Sequence, residues 1–276
     1  MSRLSIKTID SNPIEYIEYL TIPHGALTAQ KFQLPIYRGE IEGLPQSIDS
    51  IVVTSDLQGV CNFNNDQTLL LGEVVAESLA LIYEIYFPQL KLEKSWGFLC
   101  GDLYANLEKR GSSGNPINVW QAFAQVFRQV IGIAGNHDDF GKDLYQLAEF
   151  ENIHFLDNDF IEINHLKIAG LSGIIGRVDK NFRLPEDEYY SSLKKILKKQ
   201  PDILLTHLSP HIQEMNFLGE PQLLHLLEKY AENLLFCGHS HWDTSQVVTL
   251  KNNTQILNAD SKVFILMNKN RHNEND

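Results

Sequence analysis

From Ile51 onward the chain repeats one unit: a short apolar or β-branched run, a turn carrying polar residues, then in several units a helical stretch. Ile51, Val52, Val53 and Thr54 lead into Ser55 and Asp56, and the spacing of Leu70, Val74, Val75, Leu79, Ile82 and Ile85 predicts a helix over 68–86. The run from Trp96 to Cys100 leads into Gly101 and Asp102. A helix is predicted over 118–127, and the run from Val130 to Ala134 then leads into Gly135, Asn136, His137 and Asp138. Ile203, Leu204 and Leu205 lead into Thr206 and His207. After a predicted helix over 223–230, the run from Leu234 to Cys237 ends in Gly238, His239, Ser240 and His241.

Shorter strands are predicted over 153–155, 160–163 and 167–171, and closing antiparallel strands over 246–250, 254–257 and 262–267. Leu193, Ile196 and Leu197 alternate with Lys194, Lys195, Lys198 and Lys199, which reads as an amphipathic helix with a solvated basic face. Before residue 49 the alternating pieces 15–22 and 32–37 suggest short strands or a hairpin. The expected organisation is therefore an N-terminal extension over 1–48 packed on the main domain, one α/β domain over 49–267, and a polar tail over 268–276.

Ligands of open α/β sheets gather beyond the carboxyl ends of the strands, and every polar cluster above stands at such an end. In chain order they supply Asp56, Asp102, Asn136, His207, His239 and His241. Carboxylate, amide and imidazole donors in that mixture suit Mn, Fe, Zn or Mg better than a thiolate metal. The glycines before Asp102, Asn136 and His239 allow tight turns that aim the next side chain into a common pocket. Two histidines two residues apart in strict strand geometry would share a face.

Composition narrows the partners. Of 276 residues, 43% are hydrophobic and 21% charged, as in ordinary globular proteins. The formal net charge of −12 argues against nucleic acid as a partner, though bound cations would allow a phosphorylated substrate. Cys61, Cys100 and Cys237 show no paired spacing and read as buried reduced thiols. No signal-type or membrane-spanning apolar segment is read, so no membrane partner and a cytoplasmic location are expected. Oligomeric state is not legible.

The series Asp56-Leu57-Gln58, Gly101-Asp102, Gly135-Asn136-His137-Asp138, His207 and Gly238-His239-Ser240-His241 resembles the calcineurin-like metallophosphoesterase superfamily over roughly residues 50–243. The resemblance implies a four-layer αββα sandwich of two mixed β-sheets flanked by helices. It also implies a dinuclear centre of two divalent ions, Mn²⁺ first, that hydrolyses a phosphomonoester or phosphodiester by attack of metal-bound hydroxide. On it, Asp102 bridges the ions, Asp56, His241 and position 58 hold the first, and Asn136, His207 and His239 hold the second. His137 binds no metal; it assists the leaving group, and Asp138 either orients that imidazole or is a solvated helix-start acid.

Two departures qualify this. Where most members carry histidine the chain has Gln58, whose amide oxygen is a weaker, neutral donor; a weakened but occupied first site is expected. Ala105 stands where the protein phosphatases of the superfamily carry an acid, which argues against that subgroup. Arg110 with Gly111 to Gly114 reads as a turn or as a phosphate-contacting loop, His211 is a candidate pocket residue, and His154, His165 and His225 read as structural or surface residues. The alternative to an enzyme is a metal-binding scaffold of the same fold with little catalysis; a nuclease would need a basic surface.

Overall fold

A computed structural model describes residues 3–23, 25–63, 67–109, 111–230 and 234–270. Arg110 and residues 271–276 of the expected tail lie outside them. Among the described residues, ten strands form the first sheet. Its order is Gln67–Leu70, Val60–Phe63, Glu15–Thr21, Gln30–Glu42, Lys262–Asn268, Ser50–Ser55, Ser95–Leu99, Gln129–Gly132 and Ile153–Phe155, with Ser5–Ile9 also paired to Gln30–Glu42. The second sheet runs Asp159–Ile163, Leu166–Leu171, Ile203–Thr206, Leu234–Cys237, Gln255–Asn258 and Val248–Thr249.

The two sheets face each other. Ile51, Val53, Phe98 and Phe264 of the first meet Ile168, Leu205, Phe236 and Leu257 of the second in one fully buried cluster. The outer face of the first sheet is covered by helices α1 (Leu71–Tyr86) and α2 (Ile117–Val126), and that of the second by α3 (Glu186–Leu197) and α4 (Pro221–Tyr230). The fold is therefore the expected αββα sandwich. Ser50–Ser55 is buried at all six positions because both of its faces are covered. Each fully buried Val, Leu, Ile or Phe contributes roughly 1.5–3 kcal/mol, which explains why such a run specifies a central strand.

Three expectations are corrected. The helix expected over 68–86 begins at Leu71, because Gln67–Leu70 pairs with Val60–Phe63 as a strand; the Glu73 carboxylate then accepts the Leu70 N–H and caps the helix. Ile85, placed on the apolar stripe by its spacing, is 69% exposed. The closing strands do not pair with one another throughout. Val248–Thr249 and Gln255–Asn258 are antiparallel, but Gln255–Asn258 joins the second sheet parallel to Leu234–Cys237, and Lys262–Asn268 enters the first sheet between Ser50–Ser55 and Gln30–Glu42. The chain thus crosses between sheets at Ala259, Asp260 and Ser261, where Ala259 N–H donates to the Cys237 carbonyl and Ser261 N–H to that of Ser55.

The segment before residue 49 contributes the 13-residue strand Gln30–Glu42, hydrogen-bonded along six residues of Lys262–Asn268. Cys61, Cys100 and Cys237 are buried free thiols. No described helix is long and apolar enough to cross a membrane.

Candidate metal centre

The parallel strands of both sheets end on the same side, and hydrogen bonds lace their ends together. Asp56 N–H donates to the Gly101 carbonyl, Gly173 N–H to that of Ala134, and Gly238 N–H to that of His207. Asp56, Asp102 and His239 leave their strands at φ of 55°, 54° and 66°, a left-handed conformation that costs side chain-bearing residues on the order of 1–3 kcal/mol each and clusters at functional sites. The backbone is bent at His239, so the strict strand geometry in which His239 and His241 would share a face does not hold there, and His241 turns its Nδ1 to Asp260.

Only Gly101, at φ 92°, uses the conformational freedom expected of all three glycines. Gly135 and Gly238 serve by lacking a side chain. A Cβ at Gly135 would lie 2.1 Å from Asp102 Oδ1, and one at Gly238 would lie 2.2 Å from Asp56 Oδ2. The carboxylates occupy the space that the missing side chains leave.

Asp102 is the hub. Its Oδ1 accepts the His137 backbone N–H at 2.7 Å, and its Oδ2 accepts Gln58 Nε2 at 3.2 Å and lies 3.3 Å from His207 Nε2. His207 Nδ1 faces the Cys100 carbonyl at 2.8 Å, across the seam between sheets, so that nitrogen carries the proton and Nε2 is left as a donor atom. Asn136 Oδ1 is buried without a hydrogen-bond partner, and His207 Nε2, also buried, has the Asp102 carboxylate as its partner at 3.3 Å. Ligand atoms of Asp102, His207 and His239 all lie within 4.8 Å of one another, and the His207 and His239 ring centroids are 5.1 Å apart. An unpaired buried amide oxygen beside a carboxylate and an imidazole nitrogen is costly unless a cation completes it. The donor set fits one.

The electrostatics agree. Burial, then the Asp260 carboxylate, push Asp56 well above the ordinary carboxylate range. Burial works against the charged form of His207, but Asp102 and Asp56 outweigh it and raise its pKa to about 10. Burial and the neighbouring His207 lower His239 to about 4. The buried carboxylates Asp56, Asp102, Asp138 and Asp260 outnumber the one buried lysine beside them, Lys262, and leave a site in which a proton stands in for a cation.

On the other side of Asp102, Asp56 Oδ2 accepts the Ser55 hydroxyl at 2.7 Å and the His239 N–H at 2.9 Å. Gln58 turns its amide nitrogen toward Asp102; ligation through oxygen would need that amide to turn over. His241 Nδ1 lies 2.7 Å from Asp260 Oδ2. Lys262, almost fully buried, donates from Nζ to the carbonyls of Trp242 and Asp260 and holds the crossing beneath His241.

His137 reaches the cavity beside Gln58 and His241, and its Nδ1 is buried without a partner. Asp138 does not orient it and is not a solvated helix-start acid. Fully buried, its carboxylate accepts the N–H groups of Asp102, Leu103 and Gly135 at 2.8–2.9 Å and so pins the two metal-side loops to each other. Burial and the Asp102 charge raise its pKa to about 6. The cavity, about 1040 Å³, is also lined by Gly111 and Ser112 but not by His211. His154 is tied to Gln129, and His165 and His225 are exposed, as surface or structural residues should be.

Asp260 and Lys262 are not legible as site residues in the sequence. They follow the last motif by some twenty residues and reach the site only because the chain changes sheets there; an acid and a lysine flanking a turn carry no local signal.

A family model described as calcineurin-like phosphoesterase matches residues 50–243. No curated protein matches the chain. Similar solved structures include a hypothetical protein from Thermus thermophilus, at 16% identity over 76% of this chain and 75% of that one, with a TM-score of 0.46. Phosphopantetheinyl hydrolase from Mycobacterium tuberculosis is similar at 13% identity over 84% and 94%, with a TM-score of 0.49. A protein of unknown function from Aquifex aeolicus is similar at 14% identity over 78% and 95%, with a TM-score of 0.34. With its motif blocks converging on one donor set and the family model matching most of its length, the chain belongs to the calcineurin-like phosphoesterases.

Proposed function

We propose that the chain is a divalent-metal-dependent phosphoesterase that hydrolyses a phosphomonoester or phosphodiester. The carrying observation is the convergence of buried Asp102 and His207 with the solvent-facing His239, beside the unpartnered Asn136 Oδ1. In this reading Asn136, His207, His239 and Asp102 hold one ion, and Asp56, His241, Gln58 and the shared Asp102 hold another. Bound there, the ions would lower the pKa of a water and neutralise the phosphoryl oxygens. Gln58 contributes at most a neutral oxygen, which favours a hard ion such as Mn²⁺ over Fe or Zn, with Mg²⁺ also suited.

The chain's own residues do the rest. The Cys100 carbonyl holds His207 in the tautomer whose Nε2 can donate to a cation. Asp138 fixes the backbone that carries Asp102 and Asn136. His137, anchored through its backbone to Asp102 and exposed to the cavity, delivers a proton to the departing oxygen; such general acids contribute roughly 10²–10⁴-fold. A cytoplasmic site of action belongs to the same reading.

The test uses purified protein with added Mn²⁺ and chromogenic phosphomonoester and phosphodiester substrates. Asp102→Ala should abolish turnover and His137→Ala should lower kcat by about 10²-fold or more. Full activity in both variants would overturn the reading. One observation favours a second reading, a metal-binding scaffold with little catalysis: Gln58 donates to Asp102 instead of presenting its oxygen. One bound ion per chain with no ester turned over would select it.

A further inference from the structure

The cavity that opens at Gln58, His137 and His241 is walled on its far side by strands that precede the family match. Tyr19 of Glu15–Thr21 and Phe32 of Gln30–Glu42 are register partners, with ring centroids 6.1 Å apart and planes tilted by 38°. Tyr19 rests directly on the loop that carries Gln58: a Cβ at Gly59 would meet its ring at 2.2 Å. The neighbouring Phe32 ring is 38% exposed on the cavity wall. The Tyr19 phenol is pushed up to about 12 by burial and by the Asp260 carboxylate, which places it on the His241 side of the site.

A pocket of this size accommodates a molecule of roughly nucleotide dimensions, since ligand cavities run to about 300–1,000 Å³. Aromatic faces on the wall offer a stacking platform for a planar ring. Among the described residues lining the cavity, Lys262 supplies the one Lys or Arg side chain, and its amine is already given to two carbonyls.

Resting on the phosphoesterase reading, we infer that Tyr19 and Phe32 form a leaving-group subsite, and that the substrate is a small single-phosphate ester of a ring-bearing alcohol, of nucleoside or arylmethyl type. In the reaction water adds to phosphorus, the P–O bond to that alcohol breaks, and the alcohol departs with a proton while phosphate, or a phosphomonoester from a diester, remains.

The test compares three phosphomonoesters with Mn²⁺ present: adenosine 5′-monophosphate and benzyl phosphate carry a ring on the leaving group, and glycerol 2-phosphate does not. Wild type should prefer the ring-bearing esters in kcat/KM. In Phe32→Ala the ratio of benzyl phosphate to glycerol 2-phosphate should fall about tenfold, mainly through KM, and Phe32→Tyr should restore it. A wild type that prefers glycerol 2-phosphate, or an unchanged ratio in Phe32→Ala, overturns the subsite. Should wild type turn over none of the esters, the phosphoesterase reading fails on its own. Equilibrium dialysis of adenosine 5′-monophosphate then decides the subsite: binding that weakens in Phe32→Ala supports it, and no binding to wild type overturns it.

Discussion

His241 Nδ1 and Asp260 Oδ2 stand 2.7 Å apart, joining the last motif residue to a carboxylate nineteen positions further along the chain. The pair has the geometry in which a carboxylate holds a histidine's tautomer so that Nε2 can face a cation. His241 is itself well exposed, and Asp260 is the partner that orients its ring.

Asp260→Ala should therefore weaken Mn²⁺ binding at the first site by about 10–100-fold, as loss of such partners does elsewhere. Asp260→Asn, whose amide oxygen can still accept from Nδ1, should recover part of it. Calorimetric Mn²⁺ titration, with circular dichroism to verify folding, checks this. Unchanged affinity in Asp260→Ala would remove Asp260 from the site.

Gln58→His should strengthen the first site, because imidazole is a better donor than an amide oxygen toward Mn, Fe or Zn. About tenfold tighter binding of the second Mn²⁺ equivalent is expected in the same titration. A variant with fewer bound ions than wild type would contradict it.

Asn136 Oδ1 is a buried acceptor without a partner. Asn136→Leu, of similar shape, should leave the metal-free protein as stable or slightly more so, since no hydrogen bond is lost. Its Tm should respond far less to Mn²⁺ than that of wild type, because stabilisation by a ligand follows the site's affinity. Thermal melts with and without Mn²⁺ read both effects, and a full Mn²⁺-induced rise in the variant would show that Asn136 holds no ion.

His207 sets the pH dependence. Its pKa in the metal-free fold, about 10, lies above the ordinary value of 6.5. Protonated His207 thus stabilises the metal-free protein fully below pH 6.5, and that contribution is lost as the pH rises through about 10. A cation at Nε2 must displace the proton, so apparent Mn²⁺ affinity should rise with pH, by up to about tenfold per unit for one proton released. Mn²⁺ titrations across neutral and mildly alkaline pH check the slope; affinity that falls with pH would refute it.

Much of this protein is legible in its sequence because the local pattern carries it. Runs such as Ile51 to Thr54 and Leu234 to Cys237 are short, apolar or β-branched and bounded by turn residues, which reads as buried strands, and the polar residues that follow them then stand at strand ends. Asp56, Asp102, Asn136, His207 and His239 are placed at strand ends that way, by the apolar runs that precede them, and their proposed roles come from the order in which they resemble the family's motifs. What tertiary structure decided are the relationships between segments that share no local signal. Asp138 is a buried clasp for three backbone N–H groups because the loop folds back on the Asp102 turn. Gly135 and Gly238 are spaces filled by carboxylates from other strands. Tyr19 and Phe32 join the cavity through strand pairing outside the motif region. Asp260 reaches His241 because the chain crosses between sheets beside Ser55. Periodicity reports which face of an element is buried; it does not report which distant element will lie against that face, and that is where the residues supporting this site's ligands come from.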